Sequence, residues 1–351
     1  MIMDFQYGST GKGLIAGYLA NRNNYDTAIC AFATNAGHTY INNSQHIEMM
    51  TQQLPTSIIS DTVKNVMLGP GSAIHVRTLQ DELLRYGAYM HGKRLMIHSH
   101  AAIVEDYHAE QEQSDGRTAM GSTAKGVGDA FIERIRRRPD AANVAKNRLR
   151  GTGLSRYVVT PEEYDQAVCG ARNVIIEGAQ GFSLSMYHGQ YPYTTSRDVT
   201  PWQIAADCGL PFRWAPYIEV IGTLRTFPIR VNNRDGSSGP CYNDQIEIDW
   251  ADIGVEPELT TVTKLPRRIF TFSEQQLDSA LMHCGGYWNT RIFLNFANYM
   301  HSAEDLVVLI KRIEGFHPKA MNPPKVEWIG TGPDDSQILT IDEFNSVVRH
   351  G

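Results

Sequence analysis

The chain predicts an α/β protein with a large, mostly parallel central sheet flanked by helices. Apolar, strand-like runs recur at 2–5, 27–32, 173–176, 217–221, 291–295 and 326–329, with helical patterns between several of them. A glycine-rich loop, Gly8-Ser9-Thr10-Gly11-Lys12-Gly13, joins the first run to the helical spacing of Leu14, Ile15 and Tyr18. With 351 residues and 42% hydrophobic content, the chain can bury a large core as one elaborated domain or two closely packed ones.

The loop after the first strand reads as a phosphate cradle. Its glycines let backbone N–H groups approach an anion, the following helix offers its positive end, and Lys12 adds a point charge. The strict P-loop pattern fails, because the place of its first glycine is taken by Gln6. A glycine-rich turn between strand and helix needs no ligand, so the loop alone leaves both readings open. Further along, Thr160-Pro161-Glu162-Glu163 supplies an N-cap, a proline at the first helical position and a capping carboxylate, predicting a helix through Ala167. Ser302 with Asp305 marks another start, before Leu306, Leu309, Ile310 and Ile313. Irregular excursions are expected at 232–240 and 317–324, with no internal repeat or low-complexity segment.

A net charge of -6 argues against a general nucleic-acid coat, and no direct DNA binding is expected. The basic run Arg134, Arg136, Arg137, Arg138 fits either a solvated helix face or contact with a single phosphate. Five cysteines are scattered without a CxxC pair or a His/Cys cluster, which suggests neither zinc nor a disulfide framework. No leader-like segment and no apolar run of membrane-spanning length stand out, so a reducing, cytoplasmic setting without membrane contact is expected.

Four further clusters put small and hydrogen-bonding residues after strands or in loops, where α/β sheets collect ligands. They are Asn35-Ala36-Gly37-His38-Thr39, Gly121-Ser122-Thr123-Ala124-Lys125-Gly126-Val127-Gly128, Glu177-Gly178-Ala179-Gln180-Gly181 with the segment 188–196, and Gly330-Thr331-Gly332-Pro333-Asp334. In this order and spacing the chain resembles the adenylosuccinate synthetase family, from the first strand to Asp334. The resemblance implies one P-loop-NTPase-like domain over 1–351 with inserted loops, a homodimer, Mg²⁺, and a ligase that joins L-aspartate to C6 of a purine nucleotide. In that family the purine O6 is first phosphorylated by a nucleoside triphosphate, and the aspartate amine then displaces phosphate. Positioning and charge neutralisation dominate such chemistry, which suits glycine loops and Lys.

Carried onto matching positions, the resemblance makes His38 the catalytic acid at O6, Lys12 the binder of the transferred phosphoryl and Gln180 the partner of O6. Asn35, Thr123 and Thr195 then bind the acceptor's 5′-phosphate, Arg137 reaches it from the partner subunit, and Ser9, Thr10 and Ala36 also line the acceptor site. Gly8, Gly11, Gly13 and Thr39 face the triphosphate, and the Gly37 carbonyl with Ser9 serves the metal.

Three departures refine this. The family loop reads Gly-Asp-Glu-Gly-Lys-Gly, and its aspartate takes the N1 proton; here Ser9 stands there, a far weaker base. The shorter side chain leaves room beside purine C2, where guanine carries an amine. Phage members of the family share this substitution, act on deoxyguanylate and make the precursor of 2-aminoadenine, so dGMP is the expected acceptor. N1 deprotonation is left to a metal-assisted or water-relayed route through Ser9. The family's guanine-reading Lys-x-Asp is replaced by Leu294-Asn295-Phe296-Ala297-Asn298. An amide both donates and accepts, as adenine requires, so ATP or dATP is expected over GTP, with Asn298, Gly330, Thr331 and Gly332 near the base and Asn295 also at the ATP site. Phe296 either stacks on the base or joins the core. The family's Thr-Thr-Gly-Arg-x-Arg aspartate loop becomes Val262-Thr263-Lys264-Leu265-Pro266-Arg267, preceded by Thr261. Thr261, Val262, Thr263 and Arg267 would bind aspartate, Arg267 also meeting the triphosphate, and Leu265 in place of arginine suits a deoxyribose. The alternatives are a synthetase acting on inosinate with GTP, and a non-catalytic nucleotide-binding regulator.

Overall fold

The computed structural model describes residues 1–116, 122–139, 142–232, 237–260, 264–285, 290–315 and 323–350. Ten strands form the central sheet. In chain order they are β1 (Ile2–Asp4), β2 (Thr27–Cys30), β3 (Asn65–Leu68), β4 (Arg94–His98), β5 (Val158–Val159), β6 (Val174–Gly181), β7 (Ile221–Arg225), β8 (Arg291–Asn295), β9 (Lys325–Gly330) and β10 (Ile338–Thr340). Their spatial order is β10-β9-β8-β7-β1-β6-β2-β3-β4-β5, parallel throughout except for β10 against β9. The chain fills one half outward from β1, returns to insert β6 beside it, then builds the other half from β7. β1 is therefore the switch point, where neighbouring connections diverge and open a crevice at the strand carboxyl ends.

Successive residues of the inner strands point into two separate cores, as expected of a sheet covered on both faces. Ala28 and Cys30 pack on one side and Ile29 on the other; Val66 and Leu68 oppose Met67 in the same way. Each fully buried large aliphatic side chain contributes roughly 1.5–3 kcal/mol. Helix α1 (Lys12–Arg22) covers one face of β1, and Gly17 lets it lie against a hairpin of strands His38–Asn42 and Ile47–Thr51. A Cβ at Gly17 would sit 2.2 Å from the Tyr40 ring.

The capping signals at 160–163 are realised in a helix at Pro161–Gly170, with Thr160 Oγ1 accepting from Glu163 N at 3.2 Å and Glu163 Oε2 from Thr160 N at 2.8 Å. Ser302 Oγ likewise accepts from Asp305 N at 3.1 Å, before the helix Ala303–Gly315. The strand expected at 217–221 is displaced. Phe212–Tyr217 is a 3-10 helix containing Pro216, and β7 begins only at Ile221, where pairing with Ile2 and Arg291 starts. β3 and β4, which the sequence reading did not single out, complete the half beyond β2. Most of the excursion expected at 317–324, and part of that at 232–240, lies outside the described residues.

Candidate active site

The loop that leaves β1 at the switch point has Gly8, Ser9 and Gly11 at φ of 104°, 57° and 90°. Left-handed residues turn backbone N–H groups to one side, the geometry of an anion nest. Gly11 caps α1 without a side-chain bond, so the first-turn N–H groups stay available to a phosphate. Behind the loop lies Asp4, fully buried at the end of β1. Its carboxylate accepts from Gln6 N (2.8 Å), Gly8 N (3.3 Å), Thr10 Oγ1 (2.6 Å) and Lys12 Nζ (3.2 Å). Thr10 is thus spent internally, its hydroxyl also 2.5 Å from Thr223 Oγ1, and only its backbone remains for a ligand. Ser9, by contrast, is exposed at the loop's outer edge.

Lys12 is itself nearly buried and donates to the Gln180 carbonyl at 2.9 Å. Gln180, at φ 63° near the end of β6, gives its amide to Asn35 Oδ1 at 3.0 Å. Lys12, Gln180 and Asn35 therefore meet at the carboxyl ends of three adjacent strands, as their motifs predicted. His38 opens the neighbouring hairpin, stacks on Phe32 with ring centroids 4.0 Å apart, and is 3% exposed. Burial, reinforced by Lys12, pulls its pKa down to about 3, so the imidazole is neutral. Neither ring nitrogen has a hydrogen-bond partner; Nδ1 stands 4.0 Å from Glu177 Oε2. A buried, unpaired imidazole is costly unless a ligand completes it. Glu177 is held by the backbone N–H and hydroxyl of both Thr56 and Ser57, while burial raises its pKa.

Thr123 lies in a loop leading to the helix Val127–Ile135, with Ala124 and Gly126 at positive φ. Glu112 fastens that loop through Gly126 N at 2.5 Å and the Ser122 hydroxyl, and Thr34 Oγ1 reaches the Lys125 carbonyl at 3.4 Å. Thr123 and Asn35 are thereby carried on two loops tied together, with Ala36 part-buried and Gly37 exposed between Asn35 and His38. Thr195 is part-buried on a separate loop, its N–H bonded to the Leu184 carbonyl. Arg137 is exposed just past the helix that follows Thr123, at φ 50°, away from the Lys12 cluster's bonds. Arg134 is no plain surface residue: its guanidinium donates to the Pro70 carbonyl at 2.7 Å and covers Phe131.

On the other side of β1, Asn295, expected at the ATP site, is packed behind the glycine loop. It is 4% exposed, donates to the Thr10 carbonyl and accepts from Phe296 N, wedged where a Cβ on Gly11 or Gly330 would collide with it. Asn298, the residue expected near the base, is exposed in the 3-10 helix Ala297–Tyr299. Phe296 is part-buried, with the Arg225 guanidinium 3.5 Å over its ring. Thr331 and Gly332 are part-buried after β9, where Thr331 N bonds the Gln337 carbonyl. Gly13 packs on the Thr39 backbone, leaving the Thr39 side chain exposed. Arg267 is part-buried beside Glu258; Thr261, Val262 and Thr263 lie outside the described residues.

Sequence reasoning passed over Asp4, Arg225 and Glu258, and quoted Glu177 in a motif without giving it a role. The signal for Asp4 and Glu177 was an acid at the end of an apolar strand run, a position where a carboxylate is kept only if paired. Among the described residues no group of three His, Cys, Asp or Glu side chains is placed to hold a metal. The exposed Ser9 hydroxyl and Gly37 carbonyl are hard oxygen donors, and with phosphate oxygens and water they fit Mg²⁺, which is seldom caged by protein alone.

The family model described as adenylosuccinate synthetase matches residues 1–149 and 149–288. The N6-succino-2-amino-2′-deoxyadenylate synthases of Acinetobacter phage SH-Ab 15497 and Salmonella phage PMBT28 are each 41% identical over 371 aligned positions. These cover 97% and 100% of this chain and 92% and 98% of the relatives. The adenylosuccinate synthetase of Pyrococcus horikoshii is 31% identical over 277 positions, 78% of this chain and 76% of its own length. Among solved structures, the succinoaminodeoxyadenylate synthetase of cyanophage S-2L, bound to dGMP and dATP, superposes with a TM-score of 0.90 at 39% identity, covering 99% of this chain and 97% of that one. The Plasmodium falciparum adenylosuccinate synthetase, at 19% identity and TM-score 0.74, shares the fold. Matched in sequence along almost its whole length and in the architecture around β1, the chain belongs to the adenylosuccinate synthetase family.

Proposed function

We propose that this chain is a carbon–nitrogen ligase that joins L-aspartate to C6 of dGMP at the expense of dATP or ATP, yielding N6-succino-2-amino-2′-deoxyadenylate. The observation that carries the acceptor is Ser9: an exposed hydroxyl stands where the inosinate enzymes' loop carries a carboxylate, in a chain resembling phage synthases end to end. The dATP bound as energy donor to the cyanophage S-2L enzyme supports a deoxyadenylate donor here.

In this reading the nest and Lys12 hold the triphosphate, and Lys12 exchanges its Gln180 carbonyl for the phosphoryl group in flight. The Gln180 amide, already oriented by Asn35, meets purine O6. His38, neutral and without a partner for either ring nitrogen, donates to the oxygen on which charge develops. The N1 proton leaves by the relayed route through Ser9 as the donor's β,γ-bridge bond breaks and the O6–P bond forms, which makes O6 a leaving group. The aspartate amine then attacks C6, and the C6–O bond breaks as phosphate departs. The Gly37 carbonyl and Ser9 would hold Mg²⁺, which would supply charge neutralisation on the transferred phosphates. Asn35, Thr123 and Thr195 serve the acceptor phosphate, with Arg137 of the partner subunit completing it in a homodimer. No described helix is long and apolar enough to cross a membrane.

The test is phosphate release with mass detection, supplying L-aspartate, Mg²⁺ and dATP, ATP or GTP, with dGMP or inosinate as acceptor. A succinylated product from dGMP with an adenine donor is expected. Product from inosinate alone, or full activity with GTP, would overturn the reading, and binding without product would leave a regulator.

A further inference from the structure

Arg225 sits where the two halves of the reaction meet, and no motif points to it. Its side chain is 0% exposed. One Nη donates to the Ser9 carbonyl at 3.0 Å and to Glu258 Oε2 at 3.3 Å, while the other pairs with Glu258 Oε1. The guanidinium lies 3.5 Å over the Phe296 ring, and Tyr299 donates its hydroxyl to the same Glu258 oxygen at 3.0 Å. Nε has no hydrogen-bond partner, so the fork is committed wholly to Ser9 and Glu258. Ser9 is held at φ 57°, a conformation that costs a non-glycine residue energy unless its surroundings impose it. The bond from Arg225 to its carbonyl is one such restraint.

The second consequence is electrostatic. Arg267 is tied to the same segment, its backbone N–H on the Glu258 carbonyl at 2.7 Å. Its side chain makes no hydrogen bond or ion pair among the described residues, although it lies within electrostatic range of Glu258 and Arg225. One part-buried carboxylate therefore has two arginines within electrostatic range and is paired with only one. Burial opposes ionisation of Glu258, but the charge and hydrogen bonds of Arg225 and the Tyr299 hydroxyl outweigh it and hold the carboxyl below its usual range. Without Arg225, the nearest cation left for that carboxylate is Arg267.

We propose that Arg225 is a positioning residue with two tasks: it fixes the Ser9 backbone at the acceptor site, and it occupies Glu258 so that Arg267 stays open for the carboxylates of L-aspartate. The second task rests on the reading of Arg267 as the aspartate binder. Fork geometry matters here, since a lysine reaches one partner at a time.

The experiment compares wild type, Arg225→Met, Arg225→Lys and Arg225→Met/Glu258→Gln in steady-state kinetics, varying L-aspartate and acceptor separately. In Arg225→Met the freed carboxylate turns to Arg267, and KM for aspartate rises at least tenfold. In the double variant the competitor is neutral, so aspartate KM returns to within about threefold of wild type, while kcat/KM for the acceptor stays low because Ser9 is still unheld. Arg225→Lys keeps the charge and shows the smaller rise of the single variants. An unchanged aspartate KM in Arg225→Met, or a rise that Glu258→Gln fails to relieve, overturns the proposal, as a merely structural arginine would behave that way. The comparison uses whichever acceptor wild type accepts, so a failed dGMP reading shows in the wild-type control alone. Thermal shift with L-aspartate repeats it without turnover. No aspartate response from wild type in either assay would overturn the proposal too.

Discussion

Replacing Asp4 by asparagine keeps the side chain's shape and removes one charge from a place the solvent does not reach. In the folded protein one carboxylate oxygen takes the N–H groups of Gln6 and Gly8, and the other takes Thr10 Oγ1 and Lys12 Nζ. An asparagine keeps its carbonyl on the two backbone donors and turns its amide toward Thr10 and Lys12. Thr10 adapts, because a hydroxyl rotates and accepts. Lys12 cannot: its ammonium, 8% exposed, faces a donor and retains only the Gln180 carbonyl. Leaving a buried charge without its partner costs about 3–5 kcal/mol, a large share of the roughly 5–15 kcal/mol that typically holds a domain folded. Urea unfolding of Asp4→Asn is expected to register that loss. The double variant Asp4→Asn/Lys12→Met removes both charges, so it should recover most of the stability while turnover stays abolished for want of Lys12. A single variant destabilised by less than about 1 kcal/mol, or a double variant no more stable than the single one, would refute the assignment of Asp4 as the counter-charge.

Ser9→Asp should lower kcat/KM for dGMP by tenfold or more, because a carboxylate then faces the guanine amine side; unchanged dGMP kinetics would remove Ser9 from acceptor choice. Burial, aided by Lys12 and His100 respectively, depresses His38 to about 3 and His98 to about 4. The unfolded chain therefore takes up these protons first. Their stabilising contribution is complete above about pH 6.5 and falls as pH drops toward 4, by up to about 1.4 kcal/mol per pH unit for each histidine. Urea midpoints should decline across that window and less steeply in His98→Asn; parallel profiles would contradict the assignment. Gly17→Ala puts a methyl 2.2 Å from the Tyr40 ring, whose hydroxyl is tied to Asp335 at 2.5 Å and receives Asn21 at 3.0 Å. It should lower stability by about 1–3 kcal/mol in thermal or urea unfolding, and a neutral result would mean the hairpin yields.

Elements with strong local signals were legible before folding. The capping box at Thr160, the serine cap at Ser302 and the apolar runs that became β2, β8 and β9 are short-range patterns, and their placement matched. The start of β7 was not legible, since 220–225 is buried throughout and shows no alternation to mark its first residue; pairing with β1 and β8 sets it. Among site residues, Lys12, His38, Asn35 and Gln180 stood out because each lies in a dense motif, and the fold brings their loops together. Asn295 stood in such a motif too and turned out to be a wedge behind the loop, because burial is decided by what packs on it from Gly11 and Gly330.

The sequence by itself determined the α/β class, the glycine-rich loop after the first strand, the family and the serine that stands in that loop, all of them written in residues close together. Tertiary structure alone decided which charges stand behind that loop. Arg225 reaches Ser9 across 216 positions and Glu177 reaches Thr56 across 121. Such pairs carry no local pattern: a buried charge is tolerated only where the sheet delivers its partner, and that delivery depends on strand order rather than on neighbouring residues.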